Sequence, residues 1–579
     1  MARTPDAKSP ARRTRLWLLA LLPLAIPAVA GGVPAVGSYL PTAAVYLSYS
    51  FGRMVAAYAL SLIFALGYGF LAATRRSYER ILLPILDLLQ SIPILAFFPA
   101  ALVLFVGLTG KGSFLGPNLA SVFLIFTSMS WNMAFGVYES IKGIPGDLRE
   151  ASDSFGVSGW RRLRRLLFPA TVNSLVYNSI LSWTGGWFFL VASEIITGPS
   201  INITLPGIGS MLFSAALSQN MPELAAGLIV LASLIIAMDL LLWRPLGSWA
   251  ETFRYDQVPS GEGVGGPVPG LRVGGRAAAW MARGFLSGMD RVRAPLASLQ
   301  MATRRRLRPS PRPRERRWTR LVGYYALVGG VLVAAWLALI TIGVDLYRIF
   351  TGPISGGILS QIGLIPLAAV LSVGRLLAAY SISLAIALPL GIYLLRHRFA
   401  SRYGFPAIQI IASFPATALF PLFLVTLLGP IGPAGVSILF LVTGMIWYLF
   451  FNLYSGLRAL PPDLDEAGRS FGLKGKQYAR RLLLPGIFSS YITGSITAFG
   501  GGWNTLILAE YLQAPSGGPP LLQQLGLGDL INVGYYSTLP GGLALMATAL
   551  LSMVALVLTI NALVWKPLYR KAAERYRFD

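Results

Sequence analysis

Residues Asp147–Pro169 read DLREASDSFGVSGWRRLRRLLFP, three acids and five arginines set between stretches that are almost wholly apolar. Pro145-Gly146 breaks the preceding segment, and Asp147 with Glu150 three residues on has the spacing of a helix-starting capping box. Leu148, Ala151 and Phe155 then fall on one helical face at i, i+3 and i+7. Gly156 is the natural stop, because the residue that ends a helix in a left-handed conformation is usually glycine. A second, basic helix is predicted beyond it. Trp160, Leu163 and Leu167 lie on one side, Arg161, Arg162, Arg164 and Arg165 around the other, and Pro169 opens the next segment. One such copy supports only an amphipathic helix lying along a membrane surface.

A second copy changes the reading. DLREASDSFG from Asp147 recurs as DLDEAGRSFG from Asp463, with Glu466, Ala467, Phe471 and Gly472 in the matching places. GRMVAAYALSLIFAL from Gly52 recurs as GRLLAAYSISLAIAL from Gly374, and GGWFFLVASE from Gly185 as GGWNTLILAE from Gly501. LLWRPL from Leu241 recurs as LVWKPL from Leu563. The offsets are 322 or 316 (374 − 52, 563 − 241; 463 − 147, 501 − 185), so only small insertions separate the copies. A whole unit is written twice, in the same order, and a repeat of that kind decides the architecture.

The solvent of that unit follows from composition. Of 579 residues, 55% are hydrophobic and 12% charged, where a soluble domain carries about 25% charged residues. Apolar runs of the roughly 20 residues that cross a bilayer as a helix recur throughout, and the ten-residue alternation of a membrane β-barrel is absent. The expected fold is an all-α polytopic membrane protein of about 12 transmembrane helices, in two tandem six-helix repeats. The spans are placed near 16–39, 54–73, 82–107, 119–139, 172–197 and 224–243, then 321–343, 368–394, 405–428, 435–455, 488–512 and 541–564. Domain boundaries follow: 1–250, a basic Gly/Pro-containing linker at 251–320, and 321–579. The apolar run after Arg12, Arg13 and Arg15 reads as a retained span, although Ala28-Val29-Ala30 looks like a cleavage site.

Net charge is 48 − 23 = +25, and its placement gives it meaning. Arginines gather in the N-terminus, the Arg75-Arg76 loop, the Asp147 region and the segment after Trp243, as cytoplasmic connections require. The loops at 40–51 and 198–222 are nearly free of Lys and Arg and read as outer loops. Both termini are then cytoplasmic. No nucleic-acid motif accompanies the basic linker. With Cys 0 and His 1, there is no thiolate site or imidazole cluster, and His397 between two arginines reads as a solvated loop residue.

The spacing E-A-(x)-x-x-x-G, then ten residues to a hydrophobic and x-x-P, resembles the EAA loop of ABC-importer permeases. Glu150, Ala151, Gly156, Leu166 and Pro169 fit it, as do Glu466, Ala467, Gly472, Leu482 and Pro485. SIP, IPGDLREA and GGW…LVASE resemble the nitrate/sulfonate/taurine branch of binding-protein-dependent permeases. The resemblance implies type I permease repeats whose short helix couples to a cytoplasmic ATPase, through Glu150, Ala151, Phe155 and Gly156 in one half and Glu466, Ala467, Phe471 and Gly472 in the other. It also implies two ATPase subunits beneath, an extracytoplasmic binding protein above, and the inner membrane of a prokaryote. Two features depart from that branch: two permease units share one chain, and the glycine-rich stretch after the fifth span differs between halves (LPGIGSML from Leu205, LGLGDLI from Leu525). Gly110-Lys111-Gly112 and Gly475-Lys476-Gln477 lack the glycine and hydroxyl of a phosphate loop, so no cofactor is expected on this chain. ATP and Mg belong to the partner ATPase.

Ionisable residues inside spans are costly and suggest function. Each half has one acid near the outer end of its fifth span, Glu194 and Glu510, and one arginine at the outer start of its second, Arg53 and Arg375. These are expected to pair within each half and brace an outer gate, direct contact with a charged ligand being the alternative. Gly185-Gly186-Trp187 and Gly500-Gly501-Gly502-Trp503 point to close helix packing or exposed backbone. Trp187, Trp503, Asn504, Thr505, Ser182 and Thr184 are candidates for the path. Ser91-Ile92-Pro93 and Ser413-Phe414-Pro415 read as kinks in the third spans. The expected function is a fused permease of an ATP-driven importer for a small oxyanion or sulfonate. The alternatives are a ferric-ion or other small-solute permease of the same class and a secondary transporter, which would need midplane acids or histidines for ion coupling.

Overall fold

Alternating helices of 28 to 43 residues dominate the computed structural model, which describes residues 33–253 and 347–575 apart from 75, 111, 158, 196–204, 348, 474 and 514–518. In the first half they are α1 (Val33–Thr74), α2 (Arg76–Ser91), α3 (Phe98–Thr109), α4 (Leu115–Lys142), α5 (Gly146–Ser154), α6 (Phe168–Ile195), α7 (Ile208–Leu217) and α8 (Met221–Met238). The second half repeats the order with α9 (Ile365–Arg396), α10 (Arg398–Ser413), α11 (Ala416–Arg458), α12 (Pro462–Ser470), α13 (Phe488–Glu510), α14 (Leu527–Tyr536) and α15 (Gly542–Ile560). A two-stranded antiparallel ribbon, β1 (Tyr511–Leu512) with β2 (Leu522–Gln523), follows α13 in the register Tyr511↔Gln523.

Seven helices among the described residues are long and apolar enough to span a bilayer, and an eighth is Ala479–Gly486 with Phe488–Glu510, bent by 59°. The expected spans at 321–343 and most of 16–39, and all but 251–253 of the linker at 251–320, lie outside the described residues. Two expectations are corrected. Residues 40–51 are not a loop, because α1 runs unbroken through them; its 42 residues reach about 63 Å at 1.5 Å per residue. The third spans, 82–107 and 405–428, are not continuous helices. Pro93 (φ −61°, ψ 118°) and Pro415 (φ −67°, ψ 123°) are extended, since proline supplies no amide hydrogen and disfavours helix in the residue before it. Each third span is therefore an amphipathic helix, a break and an apolar helix. In the second half the latter runs on into the fourth span past Gly432, the one non-helical residue of α11 (φ 70°).

One apolar cluster runs through both halves. Within each, the second, fourth and fifth spans pack closely: a Cβ on Gly186 would lie 2.2 Å from Met129 and 2.8 Å from Met54, and one on Gly502 2.8 Å from Leu376 and 3.0 Å from Met445. These are matching positions, so packing accounts for the glycine before each tryptophan. The tryptophans are inside as well. Trp187 is buried against Trp183, itself edge-on to Tyr58 at 5.5 Å, and Trp503 is buried likewise. Both rings are therefore packing groups of their own half in this structure.

Candidate functional site

The two charged pairs are built into a repeated brace at the end of each half opposite the Asp147 and Asp463 helices. Glu194 closes α6, where its Oε1 accepts from Arg53 Nη1 and Ser50 Oγ, both at 2.7 Å, and its Oε2 accepts from Gly209 N at 2.8 Å. Ser50 Oγ in turn accepts from Ile208 N at 2.8 Å. Glu510 closes α13 with the same set: Arg375 Nη1 and Ser372 Oγ at 2.7 Å, Gly528 N at 2.8 Å, and Leu527 N on Ser372 Oγ at 2.9 Å. The carboxylate thus sits on the first amides of the short helix that follows, where the helix dipole favours negative charge. A Cβ on Gly207 or Gly526 would fall 2.2 Å from that carboxyl group. The stretches that differ in sequence therefore share one G-x-G device, Gly207-Ile208-Gly209 and Gly526-Leu527-Gly528. Both glutamates are fully buried with their oxygens taken up by protein donors, the arrangement of a brace.

The halves meet where the third-span breaks face the fifth spans. Asn504 Oδ1 accepts from Ile94 N at 2.6 Å and Leu95 N at 3.3 Å, the amides that the Pro93 break leaves without helical partners. Asn504 Nδ2 stays on its own helix, donating to Gly500 O at 2.9 Å. The matching contact elsewhere is Thr417 Oγ1 donating to Phe188 O at 3.1 Å, with Phe188 in the place of Asn504 (504 − 316) and Thr417 in that of Leu95 (95 + 322). A side-chain amide clip on one side thus faces a single hydroxyl contact on the other. Ser182 and Thr505 are buried on their own helices, Ser182 donating to Met129 O at 3.2 Å and Thr505 to Gly501 O at 2.9 Å, while Thr184 bonds Ile180 O at 2.9 Å. Where α6 and α13 end together, Ile195, Tyr511, Gln513 and Asn532 line a cavity of about 10 Å³, room for one water.

The charged element is a helix and a glycine corner, as expected, with two corrections. The residue preceding α5 is Pro145, with no side-chain cap, so Asp147 lies inside the first turn and acts there by charge alone. The second helix does not stand apart in the first half: it passes through a π turn (Leu163–Leu167) straight into α6, with Pro169 inside the first turn. A π turn (Ala479–Leu483) recurs in the second half, followed by the 59° elbow. The corners are alike, Gly156 at φ 62° with Val157 N on Ser152 O (2.9 Å), Gly472 at φ 69° with Leu473 N on Gly468 O (2.9 Å). Phe155 and Phe471 are each 83% exposed, and Glu150, Ala151 and Glu466 are exposed beside them; Ala467 is on the matching turn of α12. Arg149 turns inward to Ile141 O and Lys142 O at 2.7 and 2.8 Å, holding α5 to the end of α4.

Two large apolar rings displayed at the tips of duplicated charged helices under a duplicated bundle are the arrangement in which the family comparison is read. The profile of binding-protein-dependent transport system inner membrane components matches residues 65–242 and again 381–565. The chain belongs to that family. It holds two copies of the family's domain, and each match ends within the last span of its half. Among similar proteins is SsuC of Escherichia coli K12, named for aliphatic sulfonates transport, 33% identical over 21% of this chain and 44% of its own length. The bicarbonate transport system permease protein CmpB of Synechocystis is 22% identical over 33% and 63%, and the nitrate import permease protein NrtB of Synechococcus elongatus 26% over 25% and 52%. The matched stretches thus span about half the length of these relatives. Residues outside the family's two matches include Arg53 and Arg375 but neither glutamate nor either charged helix. No sequence signal announced the Asn504 clip, because its partners are backbone amides in the other half.

Proposed function

We propose that this chain is a transmembrane permease subunit of an ATP-driven importer, forming the translocation path between its two fused halves. What carries this reading is the pair of matched helices, α5 and α12, each lifting an 83% exposed phenylalanine away from the bundle. A lone surface phenylalanine is unremarkable, but two at equivalent places on one face call for a two-fold partner. Two cytoplasmic ATPase subunits would take Phe155 and Phe471 into grooves, with Glu150, Ala151, Gly156, Glu466, Ala467 and Gly472 fixing the approach. A binding protein would deliver a small oxyanion or sulfonate to the opposite face, in the inner membrane of a prokaryote with both termini cytoplasmic. Closure of the ATPase pair would then move the fifth spans and separate the halves at Asn504 and Thr417. The braces at Glu194 and Glu510 would keep each half rigid meanwhile.

The test is reconstitution of the full chain with an ATP-hydrolysing subunit of an importer of this family. Wild type should bind the ATPase, and uptake of a sulfonate, nitrate or bicarbonate should require ATP and the binding protein. Phe155→Ala with Phe471→Ala should abolish ATPase binding while leaving the melting of the chain unchanged. Failure of the wild-type chain to bind any ATPase, or uptake driven by an ion gradient alone, would overturn the reading.

A further inference from the structure

The two braces differ at the arginine. Arg53 spends its whole guanidinium on the protein: Nε donates to Asn118 Oδ1 at 2.7 Å, Nη1 to Glu194 at 2.7 Å and Nη2 to Pro206 O at 2.9 Å. Arg375, its counterpart (53 + 322), makes the Nη1 bond to Glu510 at 2.7 Å and has no other hydrogen bond among the described residues. Part of the reason is in the sequence: Ala434 stands where Asn118 does (118 + 316) and removes the acceptor of Nε, whereas the carbonyl of Leu525, in the place of Pro206 (206 + 319), is present but takes no bond from Arg375. The Arg375 side chain is accordingly 16% exposed against 6% for Arg53. Its Nε–Nη2 edge, two parallel donors in one plane, is the edge that grips planar oxyanions bidentately.

We propose that the uncommitted edge of Arg375 is an oxyanion-binding site, present in the second half alone. Arg375 is 21 residues from Arg396, the last residue of α9, and ten residues of the helix precede it. The stretch between the two arginines is about 32 Å long, close to the thickness of the hydrocarbon layer, so with Arg396 at one membrane boundary the edge would lie near the other. Two sources of the same chemistry reach that depth, a soluble oxyanion and the phosphate of a phospholipid. The charged groups near the site are Glu510, already paired with Nη1, and Asp529 on α14, which lies near enough to feel the arginine's charge and replaces Ser210 of the first half (210 + 319). Asp529 is buried with Gln523 Nε2 on its Oδ1 at 3.0 Å; while ionised it opposes an anion, and it therefore tunes the site. The inference does not rest on the proposed transport function: it is read by binding, not uptake.

The experiment compares the purified full-length chain with Ala434→Asn, which supplies the missing amide, and Arg375→Lys, which keeps the charge and removes the fork. Thermal melting in detergent is followed against sodium nitrate and sodium ethanesulfonate, with sodium chloride at equal ionic strength as the reference. Native mass spectrometry from phosphatidylglycerol-containing nanodiscs counts retained lipid. Wild type should melt higher in the oxyanion salts or retain one lipid; both substitutions should weaken that response by about tenfold, the worth of a charge-assisted hydrogen-bond pair. Asp529→Asn should strengthen it. A melting response confined to detergent assigns the site to a soluble anion, and a retained lipid lost in both variants assigns it to the headgroup. Equal behaviour of wild type and both variants, or no response beyond chloride with no lipid held, would overturn the proposal.

Discussion

Glu194 and Arg53 show how a charge is kept inside a membrane protein. Each carboxylate oxygen has a donor, and the guanidinium has three acceptors, so the pair offsets its desolvation through a network. Removing one partner strands the other, at a cost of about 3–5 kcal/mol. Glu194→Gln and Arg53→Gln should each lower the melting midpoint strongly, and the double substitution should cost much less than their sum; additive losses would sink the network. Asp529 behaves oppositely. Burial pushes its carboxyl up to about 6 against the hydrogen bond from Gln523, so its ionisation disfavours the fold. The folded-state value is raised, hence stability is greatest at low pH and is lost as pH rises through about 6. Asp529→Asn should stabilise the chain by about 3 kcal/mol at pH 7.5, and the gain should shrink towards pH 4.5. At this scale the sequence was readable where side chain meets side chain, since duplicated Arg/Glu positions gave the pairing. It was not where side chain meets backbone: Gly207-Ile208-Gly209 and Gly526-Leu527-Gly528 looked unlike, because their shared work is done by amides that any residue carries.

At the level of elements, the glycine corner sets where each exposed phenylalanine points. Gly156 (φ 62°) and Gly472 (φ 69°) occupy the left-handed region, where a Cβ costs about 1 kcal/mol or more. Gly156→Ala and Gly472→Ala should therefore each lower stability by about 1 kcal/mol and reduce ATPase docking more than either loss of stability explains, measured by melting and by pull-down with the same partner. Helix, corner and basic run were legible because period and turn residues are local signals. The start of α5 was misread: Asp147 fits a cap by spacing, but the cap position is Pro145, and the helix begins two residues earlier (147 − 145). The third spans were legible as kinked at Pro93 and Pro415, and what the sequence did not show is that each kink is a full break, with the proline itself extended.

For the whole molecule, duplication made the tandem helical repeat legible before any coordinate, and the described residues hold seven or eight of the expected spans. The contacts between the halves are not equivalent. Asn504 holds two amides of the opposite half, where Phe188 offers only its carbonyl. If separation of the halves is part of the cycle, Asn504→Leu should raise ATP hydrolysis in the absence of binding protein several-fold, whereas Thr417→Val should change it little; unchanged basal hydrolysis in Asn504→Leu would show that the clip does not hold the closed state. A second asymmetry bears on how work is delivered. From Leu163 the first half is an unbroken rod to Ile195, while the second bends by 59° between Ala479–Gly486 and Phe488–Glu510. A rigid strut passes displacement on at full amplitude, whereas an elbow stores part of it as bending. Two identical strokes from below would therefore arrive unequally, with the first half leading and the second following, so that a fused permease of this shape should open in sequence and not as a symmetric pair.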